Sequence, residues 1–352
     1  MSSPPVPPAP SDRPSNPPFD RPFDLLVVGD ANPDVVLGPV PRDLAYGQRE
    51  QLVERADLVL GGSAAIMACG AARLGLRVAF AGRVGDDPAG AFVRTALTAR
   101  GVDTSALTTD PELATPLTAV LTRGADRAIL TAPGCLAATG PGDVPDALLA
   151  GTRHVHAASF FLMPRLAGAL AEVFARAREL GATTSLDTND DPSGRWDPEL
   201  LDPVLNVTDQ LLPNAAEARA LTGVARGVAE AAAALARRGP LVVVKNSAEG
   251  ALAHDGTRVT AAPALPVEPL DTVGAGDSFD AGFVAAVLRG LGLADALAVA
   301  AVCGSLSTRG RGGTEAQPTW DEAVARVPGA GASEARGVTG VTGITGVTGV
   351  SA

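Results

Sequence analysis

Asp271-Thr272-Val273-Gly274-Ala275-Gly276-Asp277-Ser278-Phe279-Asp280-Ala281-Gly282-Phe283 decides how this chain is read. Ahead of it, the apolar segment Ala262–Leu270 is broken by prolines and ends at an acidic residue. Three small residues, Gly274, Ala275 and Gly276, then open a helical pattern. Phe279, Phe283, Val287 and Leu291 recur every four residues, with Val284 and Leu288 beside them, which predicts one buried apolar face. A Gly-Ala-Gly turn at a helix start leaves backbone N–H groups without intrahelical acceptors, and the helix dipole adds partial positive charge. Such a terminus binds anions. Asp277 stands on its rim. A carboxylate there is electrostatically costly, but useful if it must take a proton while phosphate charge develops nearby.

The ordinary reading of these residues is an N-cap aspartate after a tight turn. Two better-known nucleotide loops are excluded. Gly274-x-Gly276 lacks the third glycine of a dinucleotide fingerprint, because Phe279 stands there, and a Walker loop needs Gly-Lys, whereas the chain's one lysine, Lys245, follows Val244. The full string Asp-Thr-x-Gly-Ala-Gly-Asp-x-Phe resembles the C-terminal signature of the ribokinase-like (PfkB) carbohydrate kinases. The resemblance implies that Asp277 is the base, that the N–H groups of Gly274, Ala275, Gly276 and Asp277 stabilise a transferring phosphoryl group, and that Thr272, Gly274 and Gly276 line the nucleotide.

Composition sets bounds on the rest. At 352 residues the chain is long for one domain on the size prior, but α/β domains often run that large. Aromatic residues are 3% of it, so Ala, Val and Leu must fill the core. A net charge of −11 argues against a nucleic-acid partner or an anionic membrane surface, and any phosphorylated ligand must be drawn in by local dipoles and a metal. Cys69, Cys135 and Cys303 are odd in number and widely spaced, which reads as buried free thiols in a reducing compartment, the cytoplasm. His154 and His156 share one face of a strand, with no third metal ligand evident. No apolar run reaches transmembrane length, and the N-terminus lacks the basic-then-apolar pattern of a secretory signal.

Residues 1–22 are rich in Pro and Ser and read as disordered; folding is expected over 23–327. Leu25–Gly29 is a short continuous apolar run, as for a strand buried on both faces of a parallel sheet. It leads into Gly29-Asp30-Ala31-Asn32-Pro33-Asp34. The spacing alone fits an Asx turn as well as a ligand site. The string resembles the family's first-strand Asn-x-Asp, which implies that Asn32 and Asp34 hold sugar hydroxyls. Short strands at Val35–Pro39 and Leu52–Leu60, with a hairpin at Leu117–Thr122 and Ala128–Thr131, mark the two segments, about 35–60 and 116–132, that the resemblance makes a small β-sheet lid. Gly61-Gly62-Ser63-Ala64-Ala65 opens a helix whose small residues permit close backbone approach, either to a neighbouring strand or to a ligand; the resemblance implies that Gly61 and Gly62 lie against the sugar. The family places an Asn where this chain has Ile66. Isoleucine neither donates nor accepts, so either the substrate is less polar there or another residue supplies the contact.

Strands at His154–Ala158, Thr183–Asp187, Gln210–Leu212 and Leu241–Lys245 alternate with helices, which implies a mostly parallel sheet covered on both faces. Asp187-Thr188-Asn189 resembles the family's Asp-x-Asn near the phosphates. Pro213-Asn214-Ala215-Ala216-Glu217 fits an Asn N-cap with a capping-box Glu; it also resembles the family's Asn-x-x-Glu, which holds Mg²⁺ through water. The resemblance implies that Lys245, Ser247 and Gly250 fall in a loop close to the nucleotide, although the family usually has glycine at Ser247. Asp271 and Val273, with the turn Arg309-Gly310-Arg311-Gly312-Gly313-Thr314, correspond to a monovalent cation site, K⁺, of some relatives. Residues 328–352, including the Gly-Val-Thr repeat of Gly337–Val350, read as a disordered tail.

The expectation is a ribokinase-like three-layer α/β/α domain with a mostly parallel central sheet and a small β-sheet lid. It transfers the γ-phosphate of ATP, with Mg²⁺, to a sugar or sugar derivative. A nucleoside kinase on the same scaffold and a catalytically weak sugar-binding regulator are the alternatives. Lids of this family often pair between subunits, which makes a homodimer compatible.

Overall fold

The computed structural model describes residues 21–327 except Ala125. The N-terminal segment up to residue 20 and the expected tail at 328–352 lie outside the described residues.

In chain order the elements begin β1 (Phe23–Val28), β2 (Asn32–Gly38), β3 (Arg55–Gly61), α1 (Ser63–Arg73), β4 (Val78–Gly85), α2 (Pro88–Ala99) and β5 (Val102–Asp110). A hairpin follows, β6 (Leu117–Arg123) and β7 (Asp126–Ala132), and then α3 (Asp146–Ala150), β8 (Thr152–Ala157), α4 (Pro164–Ala167), α5 (Leu170–Glu179) and β9 (Thr183–Leu186). Next come α6 (Pro198–Leu205), β10 (Gln210–Leu211), α7 (Ala215–Thr222), α8 (Val228–Ala236), β11 (Leu241–Lys245), β12 (Ala251–His254) and β13 (Val259–Ala262). The chain closes with α9 (Ala275–Leu288), α10 (Leu293–Ser307) and α11 (Trp320–Val324).

The main sheet runs β13-β12-β11-β10-β9-β8-β1-β4-β5. From β5 to β11 neighbouring strands are parallel, while β12 and β13 add an antiparallel edge. Both faces are covered. Along β1, Leu25 and Val27 join the apolar cluster under α1, α9 and α10, while Leu26 and Val28 join the opposite cluster with Phe174, Leu201 and Leu235. A strand buried on both faces has no polar alternation, which is why Leu25–Val28 reads as a plain apolar run. After β1 the chain builds outward through β4 and β5, then returns to build through β8 to β11 on the other side. The strand order therefore reverses beside β1, and the crevice at the carboxyl ends of such strands is where open α/β sheets bind ligands.

A second, small sheet has the order β3-β2-β6-β7, with β2 and β6 parallel and both outer pairings antiparallel. It is built from the segments expected to pair there. The whole of β7 is exposed, including Ile129 and Leu130.

Several elements escaped the sequence reading. β5 carries Thr, Ser and Asp, and only one face of it is well buried, so it shows no apolar run. The β12–β13 hairpin is short, and α6 holds an internal proline, Pro203. The three cysteines are free and buried, as expected from their number and spacing. Among the described residues no helix is long and apolar enough to cross a membrane.

Candidate active site

Gly274 is the N-cap of α9, at φ 71° and ψ 7°, a left-handed conformation that favours glycine. A Cβ there would lie 2.6 Å from Gly313 Cα and 2.9 Å from Ile66 Cγ2. Asp271 ties the turn down from the other side. Its Oδ1 accepts from Val273 N at 3.0 Å and its Oδ2 from Gly312 N at 2.9 Å. The N–H groups of the first turn of α9 thus sit on a loop clamped to residues 308–313, without intrahelical acceptors of their own.

Asp277 is not the cap but the third residue of α9, and it is buried. The Ser63 hydroxyl lies near its carboxylate and favours the charged form. Burial, and then the charge of Asp187, push Asp277 up to about 8, while Lys245 pulls it back. One turn further along, Asp280 faces the same cluster, and one carboxylate oxygen each of Asp187, Asp277 and Asp280 lie within 4.8 Å of one another. The Lys245 ammonium sits among them, donating to Asp187 Oδ2 at 2.6 Å and to Asp280 Oδ2 and Oδ1 at 3.0 and 3.2 Å. Lys245 was expected to serve the nucleotide. Its side chain is turned inward under α9, and a Cβ at Gly276 would lie 3.6 Å from its Nζ.

On the other side of Asp277, Asp30 follows β1 and caps α1, accepting from Ser63 N at 3.2 Å and Ala64 N at 3.0 Å. The Asn189 amide donates to Ser63 Oγ at 3.1 Å. Asn32 and Asp34 are neighbours on β2, with Asn32 Nδ2 donating to Asp34 Oδ1 at 2.6 Å and to Thr118 Oγ1 at 3.1 Å. Burial, with the nearby Asp30 charge, pushes Asp34 up to about 6. Gly61 and Gly62 lie directly over them. A Cβ on Gly61 would strike the Asp34 carboxylate at 2.1 Å, and one on Gly62 would lie 2.8 Å from the Asp30 carbonyl.

Asn214 is the N-cap of α7 and forms a capping box with Glu217: Asn214 Oδ1 accepts from Ala216 N and Glu217 N, and Glu217 Oε2 accepts from Asn214 N. The capping half of the sequence reading is therefore realised. Glu217 is nonetheless buried, and burial and the Asp187 charge push it up to about 7. Ser247 and Gly250 both stand at positive φ, 52° and 89°, in the β11–β12 turn, so the glycine usual at the Ser247 position reflects backbone geometry. Among the described contacts, nothing joins these two to the Asp277 cluster except Lys245 just before them.

Ile66 has a physical explanation. A Cβ at Gly313 would lie 2.5 Å from its Cδ1, so the side chain fills the gap between Gly274 and Gly313 behind the Gly-Ala-Gly turn. Three residues of the cluster, Asp30, Ser63 and Asp280, were not singled out from sequence. Asp280 had a signal, its i+3 spacing from Asp277; Ser63 had none. His154 and His156 share a face of β8 as the spacing predicts, bonded to Thr183 and Ser185 in the next strand.

The model of the pfkB family carbohydrate kinases matches residues 23–320. Among curated relatives, the chain is 32% identical over 266 residues to the ATP-dependent ribose-1-phosphate kinase of Halopiger xanaduensis, covering 75% of this chain and 85% of that protein. It is 32% identical to the fructokinase of Klebsiella pneumoniae, covering 74% and 90%. A putative ribokinase II from E. coli superposes with a TM-score of 0.76 at 23% identity, over 86% of this chain and 97% of that one. An Arabidopsis thaliana ribokinase solved with ribose and ATP superposes at 0.74 and 22%, over 86% and 98%. Both the family match and the curated relatives span the folded body, so the chain belongs to the pfkB family of carbohydrate kinases, phosphotransferases acting on a hydroxyl acceptor.

Proposed function

We propose that this chain transfers the γ-phosphate of ATP to a hydroxyl of a sugar or sugar derivative, with Asp277 as general base. The observation that carries the reading is the position of Asp277. It is a buried carboxylate in the first turn of α9, beside a Gly-Ala-Gly N-terminus and close enough to Asp30 to feel its charge. Asn32 and Asp34, below Gly61 and Gly62, hold the sugar hydroxyls. The phosphates lie against the N–H groups of Gly274, Ala275, Gly276 and Asp277, with the nucleotide along Thr272, Asn214, Ser247 and Gly250. Asp277 removes the hydroxyl proton as the sugar oxygen bonds to the γ-phosphorus. The bond from that phosphorus to the β–γ bridging oxygen breaks, and the electron pair leaves with ADP. Those N–H groups stabilise charge on the transferring group.

Mg²⁺ fits the donors present. Glu217 is a buried carboxylate close enough to Asp187 to feel its charge, and hard oxygen ligands with retained waters suit this ion. Its Oε2 is engaged by the Asn214 backbone, so Asn214 and Glu217 would hold the ion through water. When bound, it neutralises phosphate charge. Asp271 and Val273 with the 309–314 turn are the candidate K⁺ site. The small sheet serves as the lid, and its exposed β7 suits pairing with a second copy, which light scattering of wild type against Ile129→Asp tests; identical monomeric masses would sink it.

The experiment is ATP consumption over a panel of sugars, sugar phosphates, sugar acids and nucleosides. Turnover with a member of the sugar classes is expected. Turnover with nucleosides alone would make the chain a nucleoside kinase. Tight sugar binding without turnover would make it a regulator.

A further inference from the structure

Of the 28 lysines and arginines in this chain, only one is a lysine, and it is the buried Lys245. Every other position that needs a strong cation uses arginine. The exception is informative because the two side chains differ in shape: arginine is a planar fork, whereas lysine ends in a compact point charge with three donors. Lys245 spends those donors on two carboxylates that converge from different elements, Asp187 at the end of β9 and Asp280 on α9. Its side chain is 12% exposed and those of its partners 2% and 1%, so water does little to screen the cluster. Asp187 is further held by Asn189 N at 3.2 Å and Asn189 Nδ2 at 3.3 Å.

We propose that Lys245 is a positioning residue for the transfer step: its ammonium balances the charge of Asp187 under the first turn of α9 and so sets the pH at which Asp277 takes a proton. This rests on Asp277 being the base. The groups facing Asp277 include Asp280 from its own helix, Asp187 just after β9, Lys245 from β11, Asp30 just after β1 and the Ser63 hydroxyl of α1. Around Lys245 and Asp187 stand Glu217 of α7 and His156 of β8, the latter kept neutral by burial. Lys245 is the one cation in this set. Without it the charge of Asp187 falls on Asp277 unopposed, and the proton stays on Asp277 to higher pH.

The test is the pH profile of kcat/KM for wild type, Lys245→Met, Asp187→Asn, Lys245→Met/Asp187→Asn and Asp277→Asn, with melting curves and binding of a non-hydrolysable ATP analogue for each. The acid limb should move up by about one to three pH units in Lys245→Met, the usual effect of losing a neighbouring opposite charge. It should move down in Asp187→Asn, where the Asp187 charge is gone and the ammonium keeps only Asp280 as its carboxylate partner, and return to within about half a unit of wild type in the double variant. If Lys245→Met fails to fold, as removing one partner of a buried pair can cause, the Asp187→Asn and double variants still decide. A limb that stays put in the folded single variants overturns the proposal, since a packing role lowers rate without moving it. So does a limb that moves but is not restored in the double variant. Near-wild-type turnover by Asp277→Asn instead removes the base itself, an outcome separate from these.

Discussion

Replacing Asp277 by Asn tests the centre of the mechanism with little structural disturbance. The substitution keeps the size of the side chain and one acceptor oxygen for the Ser63 hydroxyl, but removes basicity and charge. Gly274, not Asp277, is the N-cap of α9, so the helix start and its N–H groups are untouched. A positioned general base contributes about 10²–10⁴-fold, or roughly 3–5 kcal/mol of barrier, and kcat should fall by that much. Binding of a non-hydrolysable ATP analogue should stay within a few-fold. Stability provides an internal check whose sign follows from the structure. Asp277 is raised from 3.8 to about 8 by burial, so its favourable contribution is complete below its unfolded value and is lost as pH rises through about 8. Above that pH the folded wild type carries a buried charge that the Asn variant lacks, and the variant should melt at or above wild type. Turnover within about ten-fold of wild type, in a variant that melts normally, would refute Asp277 as the base.

Other consequences are as direct. Gly313→Ala places a methyl 2.5 Å from Ile66 Cδ1; overpacking of this kind costs about 1–3 kcal/mol. Gly313→Ala/Ile66→Ala should then lose less stability than the sum of the single variants in denaturant titrations, and strict additivity would place the two apart. Potassium should raise turnover over sodium if Asp271, Val273 and the 309–314 turn hold a cation behind the anion-binding N–H groups, and equal rates in the two salts count against it. Burial lowers His154 from 6.5 to about 4 and His156 to about 3, so both add stability that is present above pH 6.5 and lost as pH falls toward those values. The urea midpoint should drop over that range less steeply in His156→Gln than in wild type, and identical slopes would show that His156 is charged in the fold.

What could be read from the residues alone followed from how locally each feature is determined. The α9 signature is contiguous, and both its turn and its helix announce themselves within a dozen positions. Buried strands such as Leu25–Val28 read plainly because burial on both faces removes polar alternation. β5 and the β12–β13 hairpin did not, since partly exposed edge strands carry mixed residues whose pairing is fixed by neighbours distant in sequence. The site was legible in the same uneven way. Asn32 and Asp34 share a strand, and Asn214 and Glu217 share a helix turn. The Lys245, Asp187 and Asp280 cluster joins three segments spread over more than ninety residues, and only the parallel sheet, by aligning the ends of β9 and β11 beneath α9, brings it together. Ile66 shows the complementary case. Its departure from the family pattern was visible, but its packing between two glycines was not.

The arrangement addresses a conflict built into any helix terminus that must attract phosphate and also carry a base. A carboxylate over the first-turn N–H groups would occupy the anion site and repel its ligand. Here Asp277, the proposed base, is the third residue of the helix and lies near Ser63, and no side chain caps the N–H groups. Burial, and then the neighbours Asp187 and Asp30, raise the affinity of Asp277 for a proton, which keeps the free site less negative near neutral pH. Lys245 limits that rise from beneath the helix, without reaching the surface where an ammonium would compete for the phosphates. A chain with a net charge of −11 has no long-range field to draw a nucleotide in. On the proposed function, attraction therefore has to come from backbone dipoles and bound cations within a few ångströms.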